Sequence, residues 1–266
     1  MRSADKLRVV SWSSGKDSTA TIVLAHEHGI PIDLIIISLM WFDKERRIYA
    51  EYPEVVEWIF NHAIPLFESW GYKVKVLTSE RDYVYYFNHI IENSDHPERN
   101  GKKAAFLMGG KCYMNREKVN PIRKYLRELQ RDYELYVGIA IDEPDRLERA
   151  HRKGQISLLE KFNVKESGTY EILKPYSLLS PTYKFAKRGG CWFCPNQGIK
   201  ELARLKVKHP QLWAELEIFA KSENKVSEAF RYNKTFWEIN GEVDEYIAHP
   251  PPEQLSLFDI WEEVLI

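Results

Sequence analysis

Hydrophobic and polar positions along this chain switch between two periods, and the switches mark its elements. The apolar run Leu7-Arg8-Val9-Val10-Ser11-Trp12 predicts a first strand. Residues 18–28 predict a helix, stopped by Gly29 at its C′ position and by Pro31 beyond. Asp33 to Ser38 is nearly all aliphatic, the pattern of a strand covered on both faces of a parallel sheet. From Pro53 to Trp70, Val55, Val56, Ile59, Phe60, Ile64 and Phe67 recur at helical spacing, with a kink expected at Pro65 and an end at Gly71.

Tyr72 to Leu77 alternates as a strand does, and Tyr83 to Ile91 reads as helix. A polar loop, 93–103, precedes a helix expected over 118–131 and broken at its start by Pro121. Glu134 to Ile141 predicts a further strand that ends in the acidic turn Asp142-Glu143-Pro144-Asp145-Arg146, and Glu171 to Tyr176 a short one. Strands alternating with helices imply an α/β domain with a Rossmann-like, doubly wound parallel sheet and right-handed crossovers. The last third differs. Gln197 to Leu205, Pro210 to Ala220 and Val226 to Trp237 predict short amphipathic helices, a small helical appendage. The expected organisation is a nucleotide-binding α/β domain over 1–195, the appendage over 196–240 and an acidic, Pro-containing tail over 241–266.

Composition changes this picture little. With 266 residues, 44% hydrophobic and 29% charged, the chain has the make-up of a soluble enzyme with a sizeable core. Its first residues show no secretory h-region and no apolar stretch reaches membrane-spanning length, so no membrane association is expected. Three cysteines do not make a disulfide scaffold, and a reducing, cytoplasmic setting is expected. Charge is uneven. Lys102 to Arg131 holds nine Lys/Arg against two Glu, and Gly241 to Ile266 seven Asp/Glu against no Lys/Arg. The basic segment suits a polyanion such as tRNA or DNA, and it equally suits a solvated helix face.

The candidate chemistry begins directly after the first strand. Ser13-Ser14-Gly15-Lys16-Asp17-Ser18 places small residues and a glycine where a helix opens. Free N–H groups and the positive helix end favour a phosphate there, and glycine permits close approach. Ser13, Ser14 and Ser18 add hydroxyls, and Lys16 a cation. A Walker A loop is excluded, because Asp17 follows Gly15-Lys16 and the first glycine is missing. The competing reading is an ordinary strand-to-helix turn capped by serine or aspartate. Cys191-Trp192-Phe193-Cys194 brings two thiols within reach of one metal or one disulfide, and Cys112 is the third cysteine. Four readings stay open: a [4Fe–4S] cluster on three thiolates, a zinc ion with a further ligand, a redox disulfide, and unrelated thiols.

The hexapeptide resembles the pyrophosphate-binding loop of the PP-loop ATP pyrophosphatases and adenylyl-sulfate reductases, with Ser14 in place of a glycine. Four further segments, in order, resemble the phosphoadenosine phosphosulfate reductase-like family of the PP-loop, or adenine nucleotide alpha hydrolase-like, superfamily. These are Tyr52-Pro53-Glu54-Val55, the stretch from Cys112 through Lys118 to Pro121, Gly138-Ile139-Ala140-Ile141-Asp142-Glu143 followed by Arg146, and Gly190-Cys191-Trp192-Phe193-Cys194-Pro195. Together they span about residues 7–215, and the last resembles phage and mobile-element members and DNA-sulfur-modification proteins.

The resemblance implies a PP-loop (HUP-type) fold and an enzyme that binds ATP or an adenylyl sulfate. Adenylation with sulfur transfer, or sulfonucleotide reduction, would follow. Lys16, Asp17, Lys118, Arg116 and Arg146 become catalytic candidates. Ser13, Ser14, Gly15, Lys16, Asp17, Ser18, Asp142 and Glu143 become nucleotide ligands. Mg2+ would sit among Asp17, Asp142 and Glu143, and the cluster, or zinc, on Cys112, Cys191 and Cys194. The chain departs from the family in lacking a cysteine after Cys194, in carrying Ala140 where the family has arginine, and in having a single Cys-x-x-Cys pair. A nucleotide-sensing nucleic-acid accessory protein and a zinc-stabilised binding module are the competing functions. Finally, Gln254-Leu255-Ser256-Leu257-Phe258 resembles a sliding-clamp docking peptide, against the alternative of an apolar segment folded back on the body.

Overall fold

The computed structural model describes residues 6–106, 112 and 114–250. Its described residues divide into two units that are not consecutive in sequence. Of the described residues, one unit takes 6–82, 114–183 and 187–189; the other takes 83–106, 112, 184–186 and 190–250.

The first unit is built on five parallel strands: β1 (Leu7–Trp12), β2 (Leu34–Leu39), β5 (Val74–Thr78), β6 (Tyr133–Tyr136) and the two-residue β7 (Gln155–Ile156). A hairpin, β3 (Trp41–Asp43) with β4 (Ile48–Tyr49), interrupts the series directly after β2. The sheet order is β5-β2-β1-β6-β7. The chain therefore builds outward on one side of β1, then returns to the other side, and the order reverses between β1 and β6. All six residues of β2 are buried, as an aliphatic strand in mid-sheet requires. Val9, Leu34 and Ile36 meet Leu126 on one face, flanked by Ile122 and Tyr125 of the same helix, α5 (Met114–Glu128), and by Leu129 just after it. Helix α1 (Lys16–Glu27) follows β1 and packs against it and against α7 (Leu158–Lys161) and α8 (Thr169–Leu173). The fold is α/β with an all-parallel central sheet flanked by helices, consistent with a Rossmann-like arrangement.

Several elements differ from the sequence expectation. The helix expected over 53–70 is α2 (Pro53–Trp58), a wide π-type turn at Ile59–Ala63, and α3 (Ile64–Ser69). The widened turn lies just ahead of Pro65 and relieves the clash of its ring with the preceding turn, so the helix continues. Pro121 does not break α5, which starts earlier at Met114, because the buried Met114 and Glu117 anchor a turn before the proline. Glu171 to Tyr176 is not a strand: α8 and a tight 3-10 turn occupy it, and Thr169 and Leu173, four apart, are the buried pair.

The second unit has an aromatic core. α4 (Tyr83–Asn88) supplies Phe87, which meets Phe219 at 4.4 Å and Phe106 at 5.2 Å. Phe106 continues to Phe230 at 5.0 Å, and Phe230 to Phe236 at 5.6 Å. The helices α9 (Ile199–Lys208) and α10 (Pro210–Lys221) match expectation closely. Val226 to Trp237 does not. It forms the hairpin β8 (Ala229–Arg231) and β9 (Lys234–Thr235), then enters α11 (Phe236–Ala248), which carries helix into the segment expected as tail. Tyr232, at φ 51°, makes the hairpin turn, and a capping box of Thr235 and Glu238 starts α11. The strand-like segment at Lys103 explains why residues 83–106 belong here: its N–H donates to Asn224 O at 2.8 Å and its O accepts from Val226 N at 2.9 Å. Gln254–Phe258 lies outside the described residues.

Candidate functional site

The loop Ser13–Gly15 leaves the carboxyl end of β1 where the strand order reverses, the place where open α/β sheets receive ligands. Its shape follows from small residues. Ser14 sits at φ 59°, a left-handed conformation that the missing glycine would adopt more easily. Ser18 Oγ ties the bend together, accepting from Ser13 N at 3.1 Å and donating to Gly15 O at 3.0 Å. The N-cap of α1 is Gly15, which has no side chain to cap with, so neither serine nor aspartate stands at the ordinary cap position. From across the switch point, Gly138 is pressed onto the first turn of α1. A Cβ there would lie 2.3 Å from Ser18 N and 2.5 Å from the Asp17 carbonyl carbon, so only glycine fits.

Lys16 is the centre of an ion network. Its side chain is only 4% exposed, and its Nζ lies 2.6 Å from Asp17 Oδ1 and 2.8 Å from Glu166 Oε1. Tyr170 offers its ring face 5.7 Å away, and the Tyr183 hydroxyl accepts from Lys16 N at 3.0 Å. Glu166 N donates to Asp142 Oδ1 at 2.9 Å, which ties the turn after β6 into the same group. Burial pulls the Lys16 ammonium down, but the hydrogen bonds to Asp17 and Glu166 outweigh it and hold its pKa above the ordinary lysine value. Burial pushes the Asp17 carboxyl up, against the lowering by Lys16, and the charges of Glu166 and Glu143 push it the same way.

Of the candidates, Ser13, Ser14, Gly15, Lys16, Asp17, Ser18 and Asp142 are thus brought together. Glu143 and Arg146 turn back on their own loop: their side chains pair, and Glu143 Oε2 accepts from Ala140 N at 3.2 Å. Lys118 is paired elsewhere, 3.5 Å from Glu51 Oε1, and Arg116 is exposed on α5. Glu166, Tyr170 and Tyr183 are residues that sequence reasoning did not single out. They lie some 150 positions from the loop and in no motif.

No protein-family model matches the chain, and no curated protein matches it.

In the second unit, Trp192 and Phe193 are buried and pin the Cys-x-x-Cys turn, with Phe193 4.2 Å from Tyr83. Cys194 N donates to Cys191 O at 3.1 Å, and Gln197 Nε2 donates to the same oxygen at 2.7 Å. Cys191 and Cys194 are half-buried, Cys112 is exposed, and none of the three is in a disulfide. Among the described residues, no group of three or more His, Cys, Asp or Glu side chains is arranged to hold a metal ion. Magnesium asks for less, since one or two carboxylates suffice when a nucleotide's phosphates supply the remaining oxygens; Asp17 and Asp142 meet that number. Among the described residues no helix is long and apolar enough to cross a membrane.

Proposed function

We propose that the first unit binds the phosphates of an adenine nucleotide, ATP or an adenylyl sulfate, on the Ser13–Ser18 bend. In this reading the chain is a PP-loop enzyme similar to the phosphoadenosine phosphosulfate reductase-like family, and it adenylates an acceptor. One observation carries the reading: a helix start with glycine at its N-cap and a buried lysine at its first position stands at the strand-order reversal under the close approach of Gly138.

The bend offers backbone N–H groups and the Ser13, Ser14 and Ser18 hydroxyls to the β,γ-phosphates. Lys16 contributes the cation, and the incoming phosphate competes with Asp17 and Glu166 for it. An acceptor oxygen attacks the α-phosphorus, the bond from that phosphorus to the α,β-bridging oxygen breaks, and pyrophosphate leaves with the electron pair. Magnesium, when bound, neutralises charge growing on the phosphates; Asp17 and Asp142 would hold it, with Glu143 nearby. Lys118 and Arg116 on α5, and Arg146 after β6, serve the acceptor side in this proposal. No step is assigned to the cysteines. A cluster or zinc on Cys112, Cys191 and Cys194 stands as a separate proposal, read by iron, zinc and acid-labile sulfide analysis of anaerobically purified protein. Stoichiometric zinc without iron would rule the cluster out.

A polyanionic acceptor, tRNA or DNA, is supported by the outer face of α5, where Arg116, Arg123, Lys124 and Arg127 are exposed. Binding that weakens steeply with salt is its signature. The activity is tested by incubating ATP with the protein and acceptor RNA or DNA. Pyrophosphate and an adenylated acceptor are the expected products, with AMP released only when a sulfur nucleophile then displaces it from the acceptor; ADP and phosphate would refute the reaction type.

A further inference from the structure

A second buried charge lies at the same carboxyl edge of the sheet, and the phosphate reading makes no use of it. β2 runs directly into the β3–β4 hairpin, and Glu51 follows that hairpin by two residues. Its side chain is 7% exposed, yet among the described residues neither carboxylate oxygen has a hydrogen-bond partner. Among the described residues the one ion-pair partner given for it is Lys118, at 3.5 Å from Oε1. A buried carboxylate without donors is costly, so such an arrangement calls for something that completes it. Beside it, Trp41 and Tyr49 stack with ring centroids 4.1 Å apart and planes 16° from parallel. Tyr49 stands two residues before Glu51 in the chain, and burial and then the Glu51 charge raise its hydroxyl pKa. The buried Trp41 Nε1 is a donor with no acceptor.

We propose that Glu51, Lys118, Trp41 and Tyr49 form a binding site for a planar heterocycle whose edge carries two adjacent N–H donors, a guanine-type base. Two free acceptor oxygens on one carboxylate match two parallel N–H donors, and charge-assisted pairs of this kind are strong and directional. The indole–phenol stack supplies an aromatic wall for a flat ring. Lys118 keeps a cation beside the carboxylate. The site goes beyond nucleotide phosphate binding and stands whether or not the Ser13–Ser18 bend holds ATP.

The test is calorimetric titration of the full chain with guanosine and inosine. Inosine lacks only the 2-amino donor. Guanosine is expected to bind about tenfold tighter than inosine, one charge-assisted hydrogen bond's worth. Glu51→Gln is expected to abolish that difference. A parallel arm uses a guanine-containing oligonucleotide and its inosine counterpart. Tighter binding only in that arm assigns the base to nucleic acid, and preference in both arms assigns it to the free nucleoside as well. Equal affinity for guanosine and inosine together with equal affinity for the two oligonucleotides, or no heat with any of them at millimolar concentration, overturns the proposal and leaves Glu51 a hydrated carboxylate. The wild-type comparison needs no variant to fold, and melting with ATP, measured alongside, separates failure here from failure of the phosphate reading.

Discussion

Two charged side chains are buried at the carboxyl edge of one sheet, and the chain treats them differently. Lys16 has carboxylates at 2.6 and 2.8 Å, an aromatic face and a phenol-bound backbone N–H. Among the described residues, Glu51 has a single ammonium at 3.5 Å and no hydrogen bond. A charge whose partners are all internal does structural work without a ligand, and a ligand that uses it must compete for it. A charge left without donors is stable only with help from outside. The two therefore respond in opposite directions to removal.

The largest effect is expected for Lys16→Met. It strands Asp17, whose side chain is 22% exposed, and Glu166, which is 55% exposed. Breaking a buried pair costs several kcal/mol, and the exposure of Glu166 reduces that to about 2–3 kcal/mol in urea unfolding. Glu51→Gln is expected to leave stability unchanged or raise it by up to about 1 kcal/mol, because a neutral isostere removes a poorly compensated charge and leaves Lys118 partly in water. A loss of more than about 1 kcal/mol in Glu51→Gln would erase the contrast.

The pH dependence of stability sharpens the contrast. The folded-state pKa of Lys16 is raised above 10.5, so its contribution is complete below 10.5 and is lost as pH rises through the folded value. Wild type is expected to lose stability in that alkaline range more steeply than Lys16→Met, followed by thermal melting. Parallel slopes would show that the network does not couple to folding. The smallest effect is Ser14→Gly. Relief of the left-handed strain at φ 59° offsets the added freedom of the unfolded chain, so stability should stay within about 0.5 kcal/mol.

The sequence makes the sheet centre and the first loop legible because each is local. Leu34–Leu39 needs only its own aliphatic run, and the bend needs only Ser13 to Ser18 beside a strand. Glu166 and Tyr183 are illegible because they reach Lys16 through the fold, from 150 and 167 positions away. Glu51 is illegible for a different reason: an isolated glutamate ahead of a helix looks like a surface residue until the hairpin buries it. The segment Val226–Trp237 carries a signal of its own, since Thr235-x-x-Glu238 is a capping box and puts the helix start at Phe236, ten residues after Val226. Glu171–Tyr176 held a weaker one, the four-residue spacing of Thr169 and Leu173.

The central claim is that the Ser13–Ser18 bend grips the phosphate chain of an adenine nucleotide. Amide NMR spectra recorded while ATP is added test it directly. The account predicts saturable shifts centred on Ser14 to Ser18 and on Gly138. Shifts confined to other parts of the chain, or none at millimolar ATP, would contradict it.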